Sequence, residues 1–301
     1  MTTSSLPQGP PSSSRGGRSR YTHGYGRAVL SSHAHRTAEN SAAQLLPELR
    51  AGMDLLDVGC GVGTITVGLA QRVAPGRVEA IDVSEQVVAA TARLARDHGL
   101  AGTVRARVAD VMDLPFPDAS FDVVHAHQVL QHLSDPVGAL VQMRRVLRPG
   151  GLLAVRDADY DAMRWYPDST GLERWRRLYT DIARANGGTP DAGRRLLAWC
   201  RSAGFTDVTA GSSTWCYADA QSRAWWSDTW AERTGAVDVP GLGRDAVSRG
   251  VAMAEELASM AGAWRRWGSD PDGWFVVVHG EVLARKEAGP GQEAWRRIAE
   301  S

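Results

Sequence analysis

The chain has 301 residues, 43% of them hydrophobic and 23% charged, which is ordinary for a globular protein that can bury a substantial core. Its 34 basic and 34 acidic side chains balance, so no net charge attracts polyanions, and a nucleic-acid-binding function is disfavoured. No stretch approaches the roughly 20 apolar residues of a membrane helix, and Cys60, Cys200 and Cys216 match no zinc or redox spacing. We therefore expect a protein of the reducing cytoplasm, without membrane attachment.

The beginning of the chain differs in composition from the rest. Residues 1–20 are rich in Ser, Pro, Gly and Arg and contain no apolar core of the kind found in secretory signals. Such a segment buries too little apolar surface to offset the entropy lost when a chain becomes ordered. We predict that residues 1–20 form a disordered tail.

Between residues 54 and 160, short apolar runs alternate with stretches of helical spacing. The apolar runs predict five strands, at residues 54–59, 77–84, 103–110, 121–128 and 152–159. The sequence between them predicts helices, at residues 64–74 and 85–99 and within residues 135–151. Strands and helices that alternate at this length imply right-handed βαβ units and a parallel sheet.

The second half of the chain has a less regular pattern. Residues 161–200 are predicted to be helical, and further strands are predicted within residues 203–218 and 273–286. A helical region rich in tryptophan lies between these two strands. Its tryptophans either wall an apolar or aromatic substrate pocket or pack helices together, and both interpretations are open for Trp225, Trp226, Trp230, Trp264 and Trp267.

The sequence LLDVGCGVGT carries the most information about function. A predicted strand leads through Asp57 to Gly59, Gly61 and Gly63, immediately before a helix, and Asp82 follows at the end of the next strand. Glycines let a ligand lie against the main chain, and the helix N-terminus offers free N–H groups. An acid after the second strand can bind both hydroxyls of a ribose. The pattern predicts a nucleoside-containing cofactor, whereas the loop alone is also compatible with a tight turn of any α/β protein.

The spacing of the glycines distinguishes two classes of cofactor. Dinucleotide-binding proteins have G-x-G-x-x-G or A, whereas this loop is G-x-G-x-G with Thr64 at the third small position, which disfavours an NAD-dependent oxidoreductase. LDVG and the loop resemble motif I of the class I S-adenosylmethionine-dependent methyltransferases. VADVMDLPFPDASFDVVHAHQVLQHLSDP and LRPGGLLAV resemble the motifs that follow in that family, so the resemblance covers about residues 50–160. It is closest to the small-molecule branch that includes the ubiquinone and menaquinone methyltransferases.

The resemblance implies roles for individual residues in binding S-adenosylmethionine. The methionine part of the cofactor would be bound by Asp57, Gly59, Gly61 and Gly63. The ribose would be held by Asp82, and the adenine would be contacted by Val83, Asp110 and Val111. The sulfonium and its methyl group would lie near His127 and Gln128.

The resemblance also implies a fold and a division of the chain. The fold is α/β, a Rossmann-like doubly wound and mostly parallel sheet of seven strands, with an antiparallel last strand and added helices. Residues 51–160 would form the cofactor-binding core, and residues 161–290 the acceptor-side helices and last strands of the same domain. Residues 21–50 would form a helical lid segment, in which an aromatic clamp onto the sheet is the alternative role for Tyr21, His23 and Tyr25. Arg36 would meet the cofactor carboxylate, or be a solvated surface residue.

The histidines of VVHAHQVLQHLSD are candidates for chemistry. His125 and His127 have strand spacing, so their side chains share a face, and with His132 they do not complete a ligand set for a metal, so we predict no metal site. His125 is predicted to be an interior residue with a hydrogen bond. His127 is predicted to be catalytic, as a general base for the acceptor, and packing against the cofactor is its alternative role.

Further candidates follow the fifth predicted strand. Asp157, Asp159 and Tyr160 lie on the rim that faces ligands in an open α/β sheet. Asp159 is predicted to be the second catalytic residue, with turn capping at the surface as the alternative.

The predicted function is methyl transfer from S-adenosylmethionine to a small-molecule acceptor, in secondary or quinone-like metabolism. A nucleic-acid or protein methyltransferase is the first alternative, although HQVL stands where amino-methylating nucleic-acid enzymes carry Asp/Asn-Pro-Pro-aromatic, and no cysteine follows a proline. A cofactor-binding protein without catalytic activity is the second. We expect neither nucleic acid nor a membrane as partner, and a homodimer is left open.

Overall fold

The computed structural model describes residues 35–288. The predicted tail and the residues Tyr21, His23 and Tyr25 lie outside the described residues, as do residues 289–301. Within the described part, no helix is long and apolar enough to cross a membrane.

Seven strands form a single sheet at the centre of the described chain. They are β1 (Leu55–Val58), β2 (Val78–Asp82), β3 (Val104–Val108), β4 (Phe121–His127), β5 (Leu147–Tyr166), β6 (Asp207–Tyr217) and β7 (Trp274–Arg285). Their order across the sheet is β3-β2-β1-β4-β5-β7-β6. The neighbours from β3 to β5 pair in parallel, whereas β7 is antiparallel to both β5 and β6. The predicted fold class, with its antiparallel last strand, is therefore confirmed.

Helices cover both faces of this sheet. They are α1 (Ala38–Ser41), α2 (Thr64–Val73), α3 (Glu85–Asp97), α4 (Pro136–Val146), α5 (Thr170–Ala185), α6 (Leu196–Ser202), α7 (Ala220–Gly235), α8 (Leu242–Ser248) and α9 (Ala254–Ser269). Short 3₁₀ turns lie at Leu46–Glu48, Val111–Asp113, Leu130–His132 and Gly193–Arg195.

The two faces of the sheet bury different sets of side chains, because successive residues of a strand point to opposite sides. On one face, Leu55 and Val123 pack against Leu69 of α2 and against the segment before β1. On the other face, Leu56 and Val124 form a core with α4 and α6. The face with α2 is called the lid face below, because the segment before β1 lies on it.

Strand β5 is longer than the sequence predicts. Residues 161–166, predicted to be helical, continue the strand, and after an irregularity between Asp159 and Arg164 they pair with the first residues of β7. The partner strand thus overrides the local helical pattern. The strand ends before Pro167, which has no N–H for a ladder hydrogen bond. Helix α5 begins only after Ser169, whose hydroxyl accepts a hydrogen bond from the N–H of Leu172.

Helices α5, α7 and α9 bury an aromatic cluster against the ends of β5, β6 and β7. Trp226, Trp230, Trp264 and Trp267 are each at most 5% exposed in this cluster. Trp230 makes an edge contact to Trp175, with ring centroids 4.6 Å apart. Helix packing is therefore the role that the structure shows for these four tryptophans, whereas Trp225 is only partly buried at the edge of the cluster.

Trp230→Ala is expected to lower the free energy of unfolding by about 3–5 kcal/mol, because removal of a buried indole leaves a cavity in a packed core. Trp274→Ala is the matched control, since Trp274 is 41% exposed, and its loss should cost less than about 1 kcal/mol. Urea denaturation of the two variants and the wild type measures both values. Equal losses for the two variants would contradict the assignment of Trp230 to the core.

Candidate cofactor and acceptor site

The loop between β1 and α2 has room for glycine alone at two positions. Gly59 has a φ of +69° and Gly63 a φ of +91°, in the left-handed region that other residues rarely adopt. A Cβ atom on Gly63 would lie 2.9 Å from the Cα atom of Thr91, and one on Gly59 would overlap the side chain of Val129. Gly63 is also the N-cap of α2 and has no side chain to cap the helix. The loop therefore brings bare main chain to the carboxyl end of β1.

Asp82 lies at the end of β2 and is joined to this loop. Its carboxylate accepts hydrogen bonds from the N–H of Gly61, at 3.3 Å, and from the N–H of Ser84, at 3.0 Å. Partial burial raises the pKa of this carboxyl group above its usual value. The structure thus places Asp82 beside Gly59, Gly61 and Gly63, as the resemblance implies.

Asp57 lies beneath the loop, inside the sheet. Its Oδ1 atom is 2.8 Å from Nδ1 of His125, and its Oδ2 atom accepts a hydrogen bond from the hydroxyl of Thr66 at 2.6 Å. The carboxylate therefore links β1 to β4 and to α2, and its hydrogen bonds go to protein groups. His125 is fully buried, so it has the interior, hydrogen-bonded position that the sequence predicts.

The residues predicted to contact adenine follow β2 and β3, which are neighbours in the sheet. Val83 is 61% exposed, an unusual state for a valine at the end of a buried strand. The carboxylate of Asp110 accepts a hydrogen bond from the N–H of Met112 at 2.9 Å and begins the turn Val111–Asp113. Val111 is buried and packs in the core. An exposed apolar side chain and an exposed acid thus lie at adjacent strand ends.

A network of polar side chains lies on the lid face, beyond β4. We call it the arginine–histidine network; its members are Arg36, His127, Gln128, Arg156, Ser213, Trp215, His279 and Glu281. They come from the segment before β1 and from strands β4, β5, β6 and β7.

Gln128, directly after β4, connects two members of the network. Its φ of +53° lies in the left-handed region, where a non-glycine residue is uncommon. Arg36 donates a hydrogen bond to its Oε1 atom at 2.8 Å, and its Nε2 atom lies 2.9 Å from Nε2 of His279. Because Oε1 faces the guanidinium, the NH₂ group must donate to His279.

Arg156 lies at the centre of the network. Its Nε atom donates to Glu281 at 2.9 Å and to Ser213 at 3.0 Å, and its guanidinium lies 4.9 Å from the ring of Trp215. Its Nη1 atom lies 3.5 Å from Nδ1 of His127, at the long end of hydrogen-bonding distance. Burial lowers the pKa of Arg156 to about 10, so its side chain stays charged at neutral pH.

The two histidines of the network are neutral. Burial lowers the pKa of His127 well below its usual value, and the charges of Arg36 and Arg156 lower it further. The pKa of His279 is lowered in the same way by burial and by Arg156. Neither imidazole gains a proton near neutral pH.

The residues near the end of β5 alternate between the two faces. Arg156 faces the network, whereas Asp157 and Asp159 point to the opposite face. Asp159 forms an ion pair with Arg194, with Oδ1 and Nη2 2.7 Å apart, and accepts a hydrogen bond from the N–H of Ala162. The structure therefore does not bring Asp159 together with His127. Tyr160 stacks on Tyr179 in the aromatic cluster.

Asp157 is fully buried below the turn that follows β4. Its Oδ1 atom accepts a hydrogen bond from the N–H of Gln131 at 3.1 Å, whereas Oδ2 has no partner. Burial raises the pKa of Asp157 to about 7. The side chain of Gln131 also lies 3.0 Å from the ring of His132, whose pKa burial lowers to about 3. Across residues 35–288, no group of three or more His, Cys, Asp or Glu side chains is placed to bind a metal ion.

Sequence reasoning did not find Arg156, Ser213, Trp215, His279 or Glu281 as site residues. The network brings together residues far apart in the chain, so no local motif marks it. Two signals were present: Arg156 interrupts the apolar run LLAV, and His279 follows the apolar run WFVVV. A charged or polar side chain in a buried strand calls for a partner or a function.

Known proteins resemble the chain over most of its length. Residues 56–155 match the family described as "Methyltransferase domain". An uncharacterized methyltransferase of Schizosaccharomyces pombe is 33% identical over 89% of this chain and 96% of its own length. The 27-O-demethylrifamycin SV methyltransferase of Amycolatopsis mediterranei is 44% identical, over 38% of this chain and 42% of its own length. The crystal structure of the [4+2]-cyclase SpnF superposes with a TM-score of 0.54 and 26% identity, over 87% of this chain and 82% of that one.

Asp82→Ala is expected to weaken the binding of S-adenosylmethionine by roughly 2–3 kcal/mol, the loss expected for charge-assisted hydrogen bonds to a ligand. This corresponds to roughly a 30- to 150-fold higher Kd in titration calorimetry. Asp97→Ala, at the exposed end of α3, is the control and should leave Kd unchanged. An unchanged Kd for Asp82→Ala would remove this residue from the cofactor site.

The raised pKa of Asp157 predicts a pH-dependent stability. The carboxyl group of Asp157 keeps its proton to a higher pH in the folded protein than in the unfolded chain. The stability that this proton contributes is therefore full below about pH 4 and is lost as the pH rises through about 7. Asp157→Asn removes this titration. The free energy of unfolding of the variant, minus that of the wild type, should therefore increase from pH 5 to pH 8 in urea denaturation. Parallel pH profiles would show that Asp157 is already ionised at pH 5.

Proposed function

Since this chain belongs to the S-adenosylmethionine-dependent methyltransferases, we propose that it methylates a hydroxyl oxygen of a small molecule. One observation carries the proposal: the glycine loop with Asp82 and the buried arginine–histidine network lie at the ends of neighbouring strands of one sheet. The first can hold the methyl donor, and the second can hold an acceptor. Their adjacency suits a reaction whose main requirement is alignment of two molecules.

The residues around β1 and β2 fit S-adenosylmethionine. Gly59 and Gly63 pack against Val129 and Thr91 with no space for a Cβ atom, which fixes the course of the loop at the carboxyl end of β1, where the methionine part of the cofactor would lie. Asp82 supplies a carboxylate at the end of β2 that would bind the ribose hydroxyls, and Val83 offers an exposed apolar surface for a base. We propose the same roles for Asp110 and Val111 as the resemblance implies. When bound, S-adenosylmethionine supplies a methyl group that its sulfonium makes electrophilic.

The acceptor side is enclosed, which supports a small molecule rather than a polymer. The ring of His35 packs in a tilted contact against Trp225, with ring centroids 4.0 Å apart, and the indole N–H of Trp215 donates to the carbonyl of Asn40 at 2.9 Å. The segment before β1 thus lies across the arginine–histidine network. We propose that it is part of the predicted lid segment, residues 21–50, and that it excludes water from the reaction.

The choice of oxygen as the acceptor atom is supported by a relative. The rifamycin enzyme, named as a methyltransferase of a 27-O-demethyl compound, is 44% identical over 38% of this chain. Its name also supports the proposal that the acceptor belongs to secondary metabolism. The narrower resemblance to quinone methyltransferases stays a prediction, as does the cytoplasmic location.

One structure that this chain resembles is named as a [4+2]-cyclase and not as a methyltransferase. Cofactor binding alone would therefore not test the proposed activity, and methyl transfer is the deciding measurement. Incubation with S-adenosylmethionine and a panel of hydroxylated secondary metabolites is expected to give S-adenosylhomocysteine and a product heavier by one methyl group, both detected by mass spectrometry. Treatment with a chelator should leave this activity intact. We predict that the reaction needs no metal. Loss of activity with a chelator and its recovery with a single divalent metal would contradict this prediction.

A further inference from the structure

Among the buried donor groups of the arginine–histidine network without a hydrogen-bond partner, two lie on the neighbouring strands β4 and β5. These are Nε2 of His127 and Nη2 of Arg156, on side chains that are 5% and 1% exposed. A buried donor without a hydrogen bond costs about 1–3 kcal/mol, more for a charged group. Such atoms are rare in native proteins and call for a specific explanation. Both belong to side chains in register on β4 and β5, where His127 pairs with Arg156.

The neighbour of His127 determines which of its nitrogens carries the proton. A guanidinium can only donate, so Nδ1 of His127 must be the acceptor toward Arg156. In a neutral imidazole the proton is then on Nε2. The free nitrogen of His127 is therefore an N–H donor, and it cannot remove a proton from an acceptor.

The charges around these two donors favour an anion. Arg36 and Arg156 are the cations whose charges lower the pKa of His127, and Glu281 is the carboxylate paired with Arg156. Ser213 and the ring of Trp215 complete the surroundings of Arg156 without adding charge. An imidazole N–H beside a buried guanidinium N–H is a pair of donors of the kind that proteins use to bind an oxyanion.

We infer that the acceptor is bound as an oxyanion, the ionised form of an acidic hydroxyl such as a phenol or enol, by Nε2–H of His127 and Nη2 of Arg156. The inference rests on the proposed function and narrows its substrate class. The hydroxyl proton leaves to solvent on binding. A lone pair of the oxyanion then forms the C–O bond as the methyl–sulfur bond breaks, and the electron pair of that bond stays on sulfur.

This role differs from that of a general base. The protein stabilises an anion that the acceptor's own acidity supplies, and His127 keeps its proton throughout. The charged and titratable side chains that lower the pKa of His127 are Arg36, Arg156, His279 and His125. The acid of the network, Glu281, accepts a hydrogen bond from Nε of Arg156. The pH dependence of kcat/KM should therefore follow the ionisation of the acceptor and move when a more acidic acceptor is used.

The first test measures the ionisation of a bound probe. We choose 4-nitrophenol, because its neutral and ionised forms absorb at different wavelengths, and titrate it in the presence of S-adenosylhomocysteine. The bound probe is expected to ionise at least one pH unit lower than the free probe. 4-Nitrobenzyl alcohol should not compete with it. Competition by 4-nitrobenzoate would show that the same donors accept a carboxylate, the other source of a conjugated oxyanion.

The second test uses variants that keep the site free of unpaired charge. Arg156→Gln combined with Glu281→Gln removes one charge of each sign and should weaken phenolate binding at least tenfold, with the downward shift of its ionisation lost. His127→Ala should have a smaller effect in the same direction, and Arg156→Lys should retain part of the shift. Arg164→Gln is the matched control, because Arg164 is on the same strand and donates only to main-chain oxygens.

The outcomes separate this inference from the proposed function. If S-adenosylmethionine does not bind and no acceptor is methylated, the proposed function fails. Methylation of an amine or a carbon would overturn both the proposed function and the inference. If methylation occurs at an aliphatic hydroxyl, or if wild-type enzyme that binds S-adenosylmethionine binds neither phenolate nor carboxylate, the inference alone is overturned. It is overturned as well if the double variant, with its S-adenosylmethionine affinity intact, binds the phenolate as tightly as the Arg164→Gln control.

Discussion

The buried carboxylate of Asp57 is the contact on which the cofactor side of the site depends. Its two hydrogen bonds, to His125 and to Thr66, tie the end of β1 to β4 and to the first turn of α2. The glycine loop is the connection between β1 and α2, so its position follows from these two bonds. A carboxylate buried without them would be strongly unfavourable, and the geometry of the loop is thus coupled to the stability of the sheet.

The sequence was sufficient to predict the fold and the position of Asp82 beside the glycine loop because their signals are local. The strand, the glycine loop and the helix that contain Asp57, Gly59 and Gly63 are contiguous, and Asp82 follows one βα unit later. The error in β5 has the opposite cause. Residues 161–166 have a pattern compatible with a helix, but pairing with β7, more than 100 residues later in the chain, makes them a strand.

The acceptor side could not be predicted for the same physical reason. His127 was identifiable from its position at the end of β4, but its partner Arg156 is a neighbour only through strand pairing, and Glu281 only through β7. The role of His127 depends on Arg156, since the guanidinium decides which imidazole nitrogen carries the proton. The chemistry of a site residue thus cannot be inferred from its own segment when its hydrogen-bond partners come from distant strands.

The place of β7 in the sheet has a consequence for how the chain folds. β7 lies between β5 and β6, so β6 has no partner strand, and β5 is paired only with β4, until residues 274–285 have been synthesised. Pairings of such long sequence separation form slowly, and N-terminal units generally fold first during synthesis. The half that contains the glycine loop can therefore order before the half that completes the arginine–histidine network. On the ribosome, a nascent chain would form the proposed site for the methyl donor before the proposed site for the acceptor.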